Sequence, residues 1–279
     1  MKSKIRILLA SVVAPAVLIA GCRSSDATGP SSGQTLDLSS LIGEMGIASV
    51  GVAAGAAGVG GVAIPTMPPV VPSSCQYSAA IQGFSCATFT SNGITLDATF
   101  FLLDAAGHFQ SQPDAATTAA IRTVTDLKGT TSLDQAGTVG SMTLTNHQDM
   151  TLSGLLTDTH VLNGSSTSHS DITLSAPSSL HGVTDSKTVT ANVAMPKSSR
   201  WPASGTITTD ATTTSQFGSQ SVTGTTHSVL TFNGSSVVTM TMTITAGSNP
   251  FSATCKIDLS GASPSVLHEP MELVQEQGQ

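Results

Sequence analysis

From Ser236 to Gly247 the chain reads SVVTMTMTITAG, and its residues sort by parity: Val238, Met240, Met242 and Ile244 on even positions, Thr239, Thr241, Thr243 and Thr245 on odd ones. Successive side chains of a strand point to opposite faces, so the run has one dry side and one hydroxylated side. The same period recurs at 84–90, 94–103, 119–129, 138–145, 150–161, 165–175, 186–195, 205–214, 221–232 and 251–260. Between the runs stand Ser91-Asn92-Gly93, Asp104 to Gly107, Asp134 to Gly137, Asn163-Gly164 and Asn233-Gly234, residues that turn a chain. Connections this short join antiparallel neighbours. The pattern predicts a mainly β domain over 75–261: an antiparallel meander of about eleven or twelve strands, forming a curved open sheet, half-barrel or sandwich. Gln112 to Ala120 reads as a short helical insert.

Two finer expectations follow from the Asn-Gly pairs. At Asn233-Gly234 a two-residue loop would mix the dry and wet faces, whereas a three-residue loop sets Leu230 with Val238 and Met240 and uses the glycine in a bulge. The NGSS at 163–166 recurs at 233–236, each time after a Thr-His pair (159–160, 226–227), which fits a duplication of about 70 residues.

Charged residues are 10% of the chain and aromatics 4%, while Ser and Thr exceed a quarter. Strands of this composition carry hydroxyls where others carry ions, and their core must come from Val, Leu, Ile, Met and Ala. If the dry face holds an apolar ligand, Met240, Met242, Ile244, Phe251 and Leu259 are the candidate lining residues. In CQYSAAIQGFSC a hairpin turning at Ala79 to Gln82 sets Cys75 opposite Cys86 and Tyr77 opposite Phe84, the favoured disulfide. Cys255, inward on the alternation Phe251, Ala253, Ile257, Leu259, is the rival partner for Cys86. The thiol left over is expected to act as a small buried hydrophobe.

The amino-terminal residues follow another logic. Lys2, Lys4 and Arg6 lead an apolar centre, Ile7 to Leu18, which is shorter than a membrane-spanning helix needs and ends in small residues. Ile19, Ala20, Gly21 and Cys22 resemble the lipobox of the bacterial lipoprotein signal class: an aliphatic residue, two small residues and the lipidated cysteine. The resemblance implies that 1–21 are a signal peptide, that Cys22 carries a diacylglyceryl group and an amide-linked acyl chain such as palmitate, and that the product is held to a membrane of the bacterial cell envelope. Each buried methylene contributes about 0.8 kcal/mol, so two or three chains anchor firmly. Arg23 in place of Asp favours the outer over the inner membrane within that class. Residues 22–36 read as a disordered tether. Residues 37–74 read as a Gly/Ala/Val-rich helix and Pro-rich linker: Leu38, Leu41, Ile42 and Met45 have helical spacing, Ile47 to Ile64 carry no charge, and prolines from Pro65 end the segment. That helix packs on the sheet, lies at a membrane through Gly51 and Gly55, or gives way to a mobile linker. Residues 262–279 read as a flexible tail. By strand count and compartment the sheet also resembles the half-open barrel of bacterial lipoprotein carriers, which implies a curved sheet wrapped around a helix or lipid.

Removing residues 1–21 takes away Lys2, Lys4 and Arg6 and no acidic residue, leaving 7 Lys+Arg against 17 Asp+Glu, a balance of −10. Such a surface repels phosphate backbones, which argues against nucleic acid as a partner. Hydrolase, nucleotide and cofactor fingerprints are absent, and no Cys/His spacing suggests zinc. His147-Gln148-Asp149 and His169-Ser170-Asp171 each project a nitrogen and an oxygen from one strand face, a possible metal pair. A hairpin at Asn163-Gly164 would hold His169 near residues 157–159 and away from His147, so no joint metal site is expected. His160 and His227 would cap or decorate turns, and Trp201, beside Arg200, would serve as a cation–π or packing anchor. The expected function is that of a non-enzymatic envelope lipoprotein, a binding or structural module without cofactor, whose partner is an envelope protein or an apolar ligand. The alternative is a carrier or sensor of lipid or another apolar ligand.

Overall fold

A computed structural model describes residues 75–91, 93–135, 138–176, 179–246, 249–259 and 265–267. The expected signal peptide over 1–21, Cys22, the expected tether, the 37–74 segment and the side chains of Phe251 and Cys255 lie outside the described residues.

All regular structure described is β. The strands are β1 Cys75–Ser78, β2 Gly83–Cys86, β3 Phe89–Ser91, β4 Ile94–Leu103, β5 Phe109–Gln110, β6 Ala120–Gln135, β7 Thr138–Ser153, β8 Thr159–Ala176, β9 Leu180–Pro196, β10 Ser204–Phe217, β11 Gln220–Thr231, β12 Val237–Ala246, β13 Asn249–Asp258 and β14 Ser265–Leu267. They form one antiparallel sheet, ordered β1-β2-β4-β6-β7-β8-β9-β10-β11-β12-β13-β14, with β3 and β5 also pairing β4. The meander has fourteen strands rather than eleven or twelve: the 84–90 run divides into β2 and β3, β5 and β14 are too short to show alternation in sequence, and 138–145 joins the start of 150–161 in the single strand β7. β14 falls within the stretch read as a flexible tail: its backbone pairs with Lys256–Asp258, satisfying part of an otherwise open edge. In the first hairpin Cys75 lies opposite Cys86 and Tyr77 opposite Phe84, and the two cysteines are joined by a disulfide.

The structure corrects the reading of the middle of the chain. There is no strand over 150–161 and no turn at Asn163-Gly164. β7 runs unbroken through His147 and Asp149 to Ser153, and the chain turns at Gly154 to Asp158. Gly154 takes φ +77°, and the Thr157 hydroxyl donates to the Gly154 and Thr159 carbonyls, so a less obvious sequence makes the turn. Asn163 and Gly164 lie inside β8, opposite a β-bulge. At that level Asn163 of β8 faces two residues of β9, Ala191 and Asn192, and Gly205 of β10 faces Asn192 and Val193. The extra residue is bracketed by Asn192, a non-glycine at φ +51°, whose N–H donates to Asn163 Oδ1 at 2.7 Å. Asn163 thus serves the bulge. A Cβ at Gly164 would collide with the Asp149 carbonyl, which explains the glycine. The second NGSS, by contrast, is a genuine turn: Asn233 Oδ1 accepts from the Ser235 N–H and hydroxyl, and Gly234 takes φ +84°. The two copies occupy unlike positions, which removes the structural basis for a duplication. The β11–β12 loop is longer than three residues, but Leu230 pairs with Met240 and shares a face with Val238. Gln112 to Ala120 forms no helix; a single turn is closed by Thr117 and Thr118 N–H groups on the Asp114 carbonyl.

Register carried from strand to strand divides the sheet into two faces. On one, Val193, Met195, Ile207, Leu230, Phe232, Val238, Met240, Ile257 and Leu259 form a buried cluster at one end of β9–β13, with Leu152, Leu162 and Trp201 packed against it. The bulge at Asn192 brings Val193 and Met195 onto this face. Without it they would follow Val189 outward. Farther along the same face hydroxyls take the place of apolar side chains on the middle strands. Ser166, Thr188, Thr209 and Ser228 form a row across β8–β11, from 0 to 6% exposed. The expectation that hydroxyls mark the outer side fails here because threonine can satisfy itself across strands: Thr188 and Thr209 share a hydrogen bond of 3.0 Å.

Candidate functional site

The opposite face carries the charges, in register. Asp97 on β4 pairs with Asp126 on β6, then the row continues through His147, Thr167, Lys187, Asp210, His227 and Thr243 to Ser252 on β13. Two residues along each strand a second row runs Lys128, Thr145, His169, Asp185, Thr212, Thr225, Thr245. Between the rows lies a groove of about 880 Å³ crossing β4 and β6–β12. Residues between the rows, such as Ser168 and Ala211, also line it, and since their side chains belong to the other face they contribute main chain to its floor.

Five of the six described histidines touch an aspartate. His147 Nδ1 lies 2.8 Å from Asp126 Oδ1, His169 Nδ1 2.7 Å from Asp185 Oδ1, and His227 Nδ1 2.7 Å from Asp210 Oδ1. His181 Nε2 reaches Asp171 at 3.1 Å beside the groove, and His108 meets Asp104 in the β4–β5 turn. Asp97 accepts from the Thr88 hydroxyl at 2.6 Å. Near the groove Arg122 forms two hydrogen bonds to Asp149, of 2.8 and 2.6 Å, and lies 5.4 Å above the Phe101 ring. The guanidinium's hydrogen bonds hold the Asp149 carboxyl below the ordinary carboxylate range, and Asp149 in turn raises Arg122.

Three of the pairs extend to a hydroxyl on the next strand: Asp126–His147–Thr167, Asp210–His227–Thr243 and Asp185–His169–Thr145. The order matches that of an acid–imidazole–hydroxyl catalytic set. Geometry does not carry the match further. Among the described residues no hydrogen bond joins these imidazoles to the threonines, and Thr243 is paired with Ser252 at 2.9 Å. Strand N–H groups are committed to the ladder, so no pair of them is turned toward a developing oxyanion. Nor, among the described residues, do three His, Cys, Asp or Glu side chains converge as metal ligands. What the arrangement does is orient: an imidazole held through Nδ1 presents Nε2 in a fixed direction, next to carboxylate oxygens and threonine hydroxyls.

His147 and His169 sit on adjacent strands in adjacent rows, brought together by the corrected β7–β8 register, but each is tied to its own aspartate on a third strand. His227 belongs to the groove and not to a turn. His160, opposite Met195, is 6% exposed; burial, then the charge of Lys197, lowers its pKa below the usual histidine value. Arg200 stacks 4.9 Å from the Trp201 ring, which packs on the apolar cluster. Of the apolar lining candidates Met240, Ile244 and Leu259 are buried and Met242 half-buried; Met240 and Leu259 belong to the cluster. The sequence pattern did not single out Asp97, Asp126, Lys128, Asp185, Lys187 and Asp210, because nothing local marks them. Their shared parity with the outward threonines was the available signal, and it becomes a row only once register is known. Among the described residues no helix is long and apolar enough to cross a membrane. No family model matches the chain, and neither a curated protein nor a solved structure is significantly similar to it.

Proposed function

We propose that the chain is an envelope lipoprotein anchored through acylated Cys22, and that its sheet is a non-enzymatic binding module whose recognition surface is the groove across β4 and β6–β12. The observation that carries this is the pair of polar rows, in which three imidazoles are held by carboxylates at 2.7–2.8 Å and face open space. Orienting side chains costs conformational entropy, and held acceptors around a groove lower the cost of binding something there. The lipobox match supports the anchor. Nearly complete burial of Thr188 and Thr209 supports a sheet that curves over its other face, as expected of a half-barrel. Met240 and Leu259 already spend their surface within the cluster, so the carrier alternative draws less support.

Intact-mass measurement of the native product tests the anchor. The expected mass is that of residues 22–279 plus diacylglyceryl and acyl groups, and Cys22→Ser should release the protein from membranes. An unprocessed leader would overturn the assignment. Lipid recovered in stoichiometric amount from gently extracted protein would favour the carrier instead.

A further inference from the structure

Resting on the groove as the binding surface, we propose that its ligand is a neutral, linear, polyhydroxylated chain, a glycan without charged substituents, laid across the strands. Charge is the first reason. Asp97, Asp126, Asp185 and Asp210 share the groove with Lys128 and Lys187, and the signs are interspersed: Lys128 lies two residues from Asp126 on β6, and Lys187 lies between Asp185 on β9 and Asp210 opposite on β10. A polyanion lying along this path meets carboxylates and a polycation meets ammonium groups, and like charges brought together are penalised. An uncharged polyol meets neither penalty.

Hydrogen-bonding capacity is the second. Carboxylates accept, lysines donate, and threonine hydroxyls do both, while an Nε2 accepts on a neutral ring and donates on a protonated one. A sugar ring displays hydroxyls that donate and accept at once, the complement of such a mixture. Shape is the third. Eight strands spaced about 4.8 Å apart give the groove a length of roughly 33 Å with both ends open, which suits an extended chain better than a compact molecule. No Phe, Tyr or Trp lines it, so binding relies on hydrogen bonds exchanged against water and is weak per sugar and insensitive to salt.

The test uses the full lipidated chain in detergent micelles, immobilised and challenged with uncharged linear glucans, xylans and chitooligosaccharides, with polylysine, and with polyglutamate. Retention of an uncharged glycan is expected, with affinity changing less than about twofold between about 0.05 and about 0.5 M NaCl. Asp126→Asn with Asp210→Asn, which keeps side-chain shape, and His147→Ala with His227→Ala should each weaken it about tenfold. Asp104→Asn, outside the groove, should leave it unchanged. Glycan binding that survives both groove variants overturns the proposal. Polylysine or polyglutamate bound in a salt-sensitive way and lost in the variants also overturns it, while leaving the groove a binding surface. Retention of none of the probes overturns both.

Discussion

Thr190 places a hydroxyl on the buried side of the sheet, 2% exposed, between Gly164 and Ile207 in register, with no hydrogen-bond partner for Oγ1. A buried polar group left unpaired costs about 1–3 kcal/mol. Thr190→Val keeps the shape and removes the orphan, so it is expected to stabilise the domain by about 1 kcal/mol, seen as a higher urea midpoint at unchanged slope. His160 has the opposite kind of conflict, a titratable ring buried opposite Met195 and within reach of the Lys197 charge. Its folded pKa is depressed, so below about pH 6.5 the unfolded chain takes up a proton that the folded chain resists. The stability associated with the neutral ring is therefore present above that range and lost as pH falls through the folded value. Urea titrations should show wild-type stability declining over that acid interval and His160→Gln declining less. Neither residue was legible as buried: Thr190 looks like any other threonine of its strand, and the Thr-His pair at 159–160 imitates the one at 226–227.

At the scale of strands, the alternation at 238–245 and the CQYSAAIQGFSC hairpin could be read directly, because a local pattern and a short turn determine them. The β7–β8 hairpin could not. Asn-Gly is a strong turn signal, yet at 163–164 the same chemistry serves a bulge, where Asn163 captures the Asn192 N–H and Gly164 lets β7 approach. Misplacing that turn moved His169 off the groove and hid the row of which it is part. The face assignment of β11 and β12 survived a longer loop because parity, not loop length, sets which side is dry. Within that side Leu230 is 5% exposed and packed among residues of β9–β13. Leu230→Ala is expected to cost about 2–5 kcal/mol, measured by chemical unfolding, since no neighbouring strand can close the space alone.

For the molecule as a whole the class of fold was legible and its extent was not: a threonine-rich alternating sequence yields an antiparallel sheet, but strands of sixteen to eighteen residues, such as β6, β7 and β8, appear in sequence as broken shorter runs. The meander order has its own consequence. In the main path each strand leans on one made shortly before it, and the Cys75–Cys86 staple stands at the beginning. A polypeptide delivered through a membrane pore amino end first needs nothing from its carboxyl half to begin assembly. On the proposed export, thiol trapping of translocation-arrested chains should find that staple closed while β6 is still inside the channel, so the protein would be built like a woven edge, row upon row, in the order of its own synthesis.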